Sequence, residues 1–316
     1  MKKSVCASFV FALLLAGCGA TSTPTVRPKQ PALAWAVQAG ASQQHEALQT
    51  LQFYPSTITI DAGDSVTWTY PAGEPHTVTF LGPRSAPPPP TDPSVSVPAG
   101  GNTYDGTTYT SSGFKLGGAA YTLTFTKPGT YKYYCLIHGE MAGTVVVAQA
   151  GSPYQQSAAQ ITATNATAIG ADITAVNAAA AAFPYATGGN HLAVGISPGL
   201  GVPPLTVGSI MRFLDGPSLT DTTTTVAVGT TITWTNLDTN NPHTVTFPVA
   251  GQQVPQMDPF SPPSGGNTYD GSTLVNSGPL FGGQSFTLTF TKPGTYTYHC
   301  LFHDDTENMI ATVVVQ

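Results

Sequence analysis

Phe125-Thr-Lys-Pro-Gly-Thr-Tyr-Lys-Tyr-Tyr-Cys-Leu-Ile-His-Gly-Glu-Met141 is the stretch on which the reading of this chain turns. Its opening, as far as Tyr131, returns unchanged as Phe290 to Tyr296, and the second run then continues through Cys300 to His303. Two further segments return at nearly the same distance. Gly100-Gly-Asn-Thr-Tyr-Asp-Gly106 comes back 165 residues on as Gly265 to Gly271. Pro75-His-Thr-Val-Thr-Phe80 comes back 167 residues on as Pro242 to Phe247. A period of that size is a whole domain rather than a solenoid unit, so the chain holds a duplication.

Each copy reads as short strands. Ser56 to Ile60 and Ser65 to Thr69 alternate polar with apolar around the turn Asp61-Ala-Gly-Asp64, and Val226 to Val228 and Thr231 to Thr235 repeat this around Gly229. Tyr121 to Thr126 and Tyr131 to Cys135 flank the turn Lys127-Pro-Gly-Thr130, and Val145 to Val147 and Val313 to Val315 close the copies as strands. The expected fold is all-β: two Greek-key β-sandwich domains, at 33–148 and 190–316, joined by an Ala-rich helical connector at 149–189. In the connector, Ser152-Pro153 reads as an N-cap with a first-turn proline. Ile169, Ile173, Val176, Ala180 and Phe183 fall on one face. A helix is therefore expected over about 152–183, with Asp172 its lone charge, packed on one domain or between the two.

Only 8% of residues are charged, against roughly a quarter in an ordinary globular protein, and Thr, Gly, Pro, Ser and Ala fill the difference. A net charge of -6 gives no basic face for nucleic acid. No apolar run after the N-terminal segment reaches spanning length. At the N-terminus Lys2 and Lys3 precede a short apolar stretch holding Val10 to Ala16, which ends in Leu15-Ala16-Gly17-Cys18. That ending resembles the lipobox of bacterial lipoproteins. The resemblance implies that residues 1–17 are a signal peptide, that Cys18 is lipidated, and that 18–32 form a flexible tether. The protein is then exported and lipid-anchored on the extracytoplasmic face of a membrane.

Cys6 and Cys18 belong to the signal, which leaves Cys135 and Cys300. Two cysteines of an exported protein would normally pair, yet these occupy corresponding places of the repeat, and a bound metal would protect free thiols there. His76, Cys135, His138 and Met141 supply two imidazoles, a thiolate and a thioether, the donor set of a blue-copper site. Zinc accepts the first three but rarely uses Met. Trp68 and Trp234 read as core, Pro87 to Pro90 as a stiff surface loop, and His45 and His191 as surface residues. Asn165-Ala-Thr167 matches a glycosylation acceptor by pattern only.

Both copies resemble cupredoxins, the plastocyanin and amicyanin family. The spacing of Cys135, His138 and Met141 is similar to the short ligand loop of amicyanin, and Pro75-His76-Thr-Val resembles the family's upstream ligand. In the second copy the resemblance carries over to His243, Cys300 and His303, and to Met309 beyond a longer loop, with Glu307 or no axial ligand as competitors. Asp304, Asp305 and Glu307 would make an acidic rim there. The resemblance implies copper cycling between Cu+ and Cu2+, two ions per chain, and electron exchange with a redox protein in the periplasm or at the cell surface. Electrons would leave through the exposed edge of His138 or His303, beside an apolar docking patch of Leu136, Ile137 and Ala142. Duplicated cupredoxin folds also build copper enzymes of the nitrite-reductase and multicopper-oxidase kind. Seven histidines without a His-x-His pair exclude a trinuclear cluster, and a second metal beside His299 would have only His45 and His191 as co-ligands. Copper storage or delivery would use the same ligands as electron transfer.

Overall fold

The computed structural model describes residues 31–43, 47–71, 74–90, 92–182, 190–197, 208–215 and 221–316. Cys18, with the signal segment and most of the tether, lies outside the described residues, as do His45 and Phe183 and the side chain of Ala180. The protein is mostly β, as expected. In Ser65–Thr69 the residues Val66 and Trp68 turn inward, and Ile232 and Trp234 do the same in Thr231–Leu237. The outward threonines pair across strands instead of carrying charge: Thr67 with Thr122, Thr231 with Thr289 and Thr235 with Ser285, hydroxyl to hydroxyl at 2.7–2.9 Å. Trp68 packs on Phe80, Phe125 and Tyr133, and Trp234 on Phe247, Phe290 and Tyr298, so both tryptophans are core.

The strand pattern needs one correction. The strand read at Val226 to Val228 lies upstream, at Thr223–Val226, because Thr230 closes a turn onto the Ala227 carbonyl and leaves Val228 45% exposed. The domains are also joined by more than a connector. Among the described residues, one ten-stranded sheet runs through both halves and two five-stranded sheets cover it, one per half. Its midpoint is the seam where Leu48–Tyr54 pairs antiparallel with Gly208–Leu214 in the register Gly208 to Thr50, Ser209 to Gln49 and Ile210 to Leu48. Both strands are buried at six of their seven residues, so they show no alternation that would mark them as strands.

The connector helix, Ala158–Ala182, starts later than expected. Its cap is Ser157: the Gln160 amide donates to Ser157 Oγ (3.3 Å) and the Ser157 amide donates to Gln160 Oε1 (2.8 Å), a reciprocal capping box. Ser152 instead closes a turn onto the Gln149 carbonyl. The helix lies across the junction. Ile161 enters the first core, Val176 the second, Ile173 packs beside it, and the Tyr54 hydroxyl donates to Asp172 at 2.7 Å.

The second core has one titrating weak point. The Tyr298 hydroxyl donates to both oxygens of Asp215 (2.7 and 2.8 Å) and accepts from Trp234 Nε1. Burial pushes the Asp215 carboxyl up to about 7 against the opposing effect of that hydroxyl. The unfolded chain releases this proton near its ordinary value, around 4, so the folded state binds more protons between about 4 and 7 and loses stability as pH rises through that window. Asp215→Asn is expected to abolish the loss and to gain up to about 4 kcal/mol over the parent above pH 7. Urea unfolding at pH 5 and pH 8 measures it.

Candidate metal centre

Among the described residues, two groups of side chains converge as metal ligands would: His76, Cys135 and His138, and His243, Cys300 and His303. All six are buried. In the first group, His76 Nδ1 stands 3.0 Å from His138 Nδ1, and Cys135 Sγ lies 3.8 and 3.3 Å from those two nitrogens. In the second, the corresponding distances are 3.1, 3.6 and 3.3 Å. Neither thiol is in a disulfide.

The local chain explains the convergence. Cys135 and Cys300 follow the strands Gly129–Tyr134 and Gly294–His299, while His76 and His243 sit on isolated bridges to Lys115 and Leu280. The Cys135 amide donates to the Met141 carbonyl (2.9 Å) and the Met141 amide to the His138 carbonyl (3.0 Å). In the second copy the Cys300 amide donates to Met309 (3.1 Å) and the Met309 amide to His303 (3.0 Å). The three extra residues are taken up by one helical turn, Asp304–Glu307, which Asn308 ends in the left-handed region at φ 54. Met309 thus returns to the place of Met141, and both side chains are buried. Each sulfur also accepts a backbone N–H, from Thr77 or Thr244, at 3.4 Å. The hydroxyls of those threonines hold the amides of Leu136 and Leu301 at 2.8 Å.

Two glycines make room for the upstream histidines. Gly40 and Gly195 have φ of +66 and +63 on β-bulges, and a Cβ there would stand 2.5 Å from His76 Nε2 or 2.4 Å from His243 Nε2.

Burial opposes ionisation of Cys135, but the adjoining His138 charge and the contacts from both histidines hold the thiol well below its ordinary value. Cys300 is drawn down to about 5 by the same balance. Burial would lower His138, yet the thiolate and Glu74 push it up to about 10. Each site therefore sets a thiolate against an imidazolium. The donor set, soft sulfur with borderline nitrogen and a buried thioether close in sequence, fits copper.

A model of copper-binding proteins of the plastocyanin/azurin family matches residues 40–148 and again 218–316. The chain belongs to that family. Each cupredoxin copy carries one of the two ligand groups, so two coppers per chain are accounted for. Chloroplastic plastocyanin of Tetradesmus obliquus is 38% identical over 99 residues, 31% of this chain and 59% of that protein. This chain thus spans under two thirds of that relative's length. Plastocyanin of Scenedesmus fuscus is 33% identical over 99 residues, 31% of this chain and 87% of that one. Among solved structures, a reduced amicyanin variant is 24% identical over 36% of this chain and 82% of its own, with a TM-score of 0.25.

Three cupredoxin expectations are corrected by the way the copies face each other. First, the edges of His138 and His303 are not exposed; each residue is 2% accessible, because both turn toward Glu74. His138 Nε2 donates to Glu74 Oε1, and His303 Nε2 lies 3.3 Å from Glu74 Oε2. Second, Leu136 is buried, and Ile137 lines a cavity of about 340 Å³ between the domains with Phe114, Leu116, Phe260 and Phe302. Third, Glu307 is no part of an acidic rim: it is buried and accepts from Gln49 of the first domain at 3.2 Å. His191 is exposed as expected, and His299 faces Asp304 at 3.5 Å, outside either ligand group.

The two centres differ behind the upstream histidine. His243 Nε2 meets the buried carboxylate of Asp238 at 3.4 Å, whereas His76 Nε2 has no hydrogen-bond partner among the described residues. Burial acts to raise Asp238, but His243 and the Asn240 and Asn241 donors hold it below its usual value. Glu74, Asp238, Gly40 and Gly195 were not singled out by the sequence. The glycines did carry a signal, since each interrupts a buried apolar strand, but they recur 155 residues apart, off the main period.

Proposed function

We propose that the protein is an electron carrier with a type 1 copper centre in each domain, anchored to the extracytoplasmic face of a bacterial membrane. The observation that carries it is the pair of buried His-Cys-His groups, each assembled in the same way at the end of a β-scaffold. Bound copper supplies one-electron chemistry by cycling between Cu+ and Cu2+. The protein's part is to keep the donors still. His76 and His243 are backed by glycine bulges, Cys135 and Cys300 are pinned by the Thr77 and Thr244 amides, and the loop histidines are held by the methionine amides that donate to their carbonyls. Rigid donors would limit reorganisation when the charge changes, and Met141 and Met309 are the thioethers that would complete the two donor sets. The lipid anchor is supported by the Lys2-Lys3 start and the Leu15-Ala16-Gly17-Cys18 ending. A redox protein at the cell surface or in the periplasm is the partner.

Copper titration of the chain from Cys18 onward tests this. An intense blue band saturating at two equivalents, with reversible one-electron waves, is expected. Colourless binding, or one equivalent only, would overturn it.

A further inference from the structure

The usual exit for an electron, a ligand histidine at the surface, is closed in both domains. What stands there instead is one carboxylate shared by two histidines. Glu74 is 4% exposed and comes from the first domain, two residues ahead of His76. One oxygen accepts a hydrogen bond from His138 Nε2 of its own domain, and the other stands 3.3 Å from His303 Nε2 of the second as an ion-pair contact rather than a well-directed hydrogen bond. In both rings the other nitrogen, Nδ1, faces the cysteine sulfur, so with Nδ1 committed to the metal Nε2 carries the proton toward Glu74. A carboxylate behind a metal-bound histidine orients the ring and raises its basicity. Here a single carboxylate does so for two centres at once, across a domain junction fixed by a continuous sheet and a helix.

We propose that His303, Glu74 and His138 form a relay that makes the two copper centres exchange electrons within one molecule. The proposal rests on the electron-carrier reading. The direction follows from the difference behind the upstream histidines. Asp238 accepts from His243 and enriches the donor set of the second centre, which favours Cu2+ there, while His76 has no such partner among the described residues. The second centre therefore has the lower potential. One electron leaves the second centre, which is oxidised, and enters the first, which is reduced. No proton is transferred, since Glu74 faces a protonated Nε2 on either side before and after. At equilibrium the electron is thus held in the first domain.

The test uses the lipid-free chain from Cys18 with both coppers bound and oxidised. Pulse radiolysis delivers less than one electron per molecule, and rapid-freeze EPR follows which centre holds it. The expected result is redistribution from the second to the first centre at a rate independent of protein concentration. Glu74→Ala should slow it about tenfold or more, the scale on which such outer partners act. Glu74→Gln, which keeps the shape and removes the charge, should raise both midpoint potentials together. A merely structural Glu74 would shift neither potential. Redistribution that scales with protein concentration, or an unchanged rate in Glu74→Ala, overturns the relay. Should Glu74→Ala not fold, unchanged potentials in Glu74→Gln overturn it equally. A parent protein that binds copper without turning blue refutes the carrier reading itself. A blue protein without internal redistribution refutes only the relay.

Discussion

Cys135→Ser is expected to remove half of the blue absorption of the copper-loaded protein, and Cys300→Ser the other half. The colour of such a site comes from the copper–thiolate bond, and a serine hydroxyl neither ionises at neutral pH nor supplies soft sulfur. The two sulfurs are independent in the structure: each is buried among its own two histidines and its own threonine amide. Substituting one leaves the other's ligands in place, and serine is close enough in size to keep the fold. The loss should therefore be additive, with a colourless double variant. Visible spectra at two copper equivalents decide it. Full colour in Cys300→Ser would mean that the second domain, with its longer loop, holds no blue centre.

The second large effect is steric. Gly40→Ala should uncouple the first centre alone and Gly195→Ala the second alone. Each new Cβ would fall within 2.5 Å of a ring nitrogen of the upstream histidine, a contact no rotamer of a backbone-bound methyl can relieve. The left-handed φ adds roughly 1–2 kcal/mol of backbone strain for any L residue. Displacing His76 or His243 leaves only the loop cysteine, histidine and methionine of that site, and copper affinity there should fall about tenfold to a hundredfold or more. Gly63→Ala is the control: its φ is +104 but nothing lies within 4 Å of its Cβ, so it should cost stability and leave both colours intact. Competition titration with a copper chelator, site by site, separates the two effects. Equal affinities in Gly40→Ala and Gly63→Ala would refute the steric account.

The repeat made the domains, the strands around Trp68 and Trp234 and all six converging ligands legible in the sequence, because a duplicated motif exposes whatever both copies need. What the copies do not share stayed hidden for the same reason. Glu74 has no acidic counterpart, since Asn241 precedes Pro242-His243, and Asp238 has none in the first copy. The shared sheet was also out of reach. Leu48–Tyr54 and Gly208–Leu214 carry no period-two pattern, being covered on both faces, and nothing local names their partner across the chain. The helix start was missed because Ser152-Pro153 is a plausible opening, and only Gln160 reaching back to Ser157 distinguishes the true one.

The pairing of Gly208 with Thr50 has a bearing on how such a chain arose and how it comes apart. Cut between its halves, each piece would present an unpartnered strand border, the kind of surface that recruits a second copy. The antiparallel register is one that two identical pieces can satisfy reciprocally, as an isologous dimer does. The covalent link then reads as the later addition to an older twofold assembly, one that freed the two halves to diverge, with Glu74 kept on one side and Asp238 on the other.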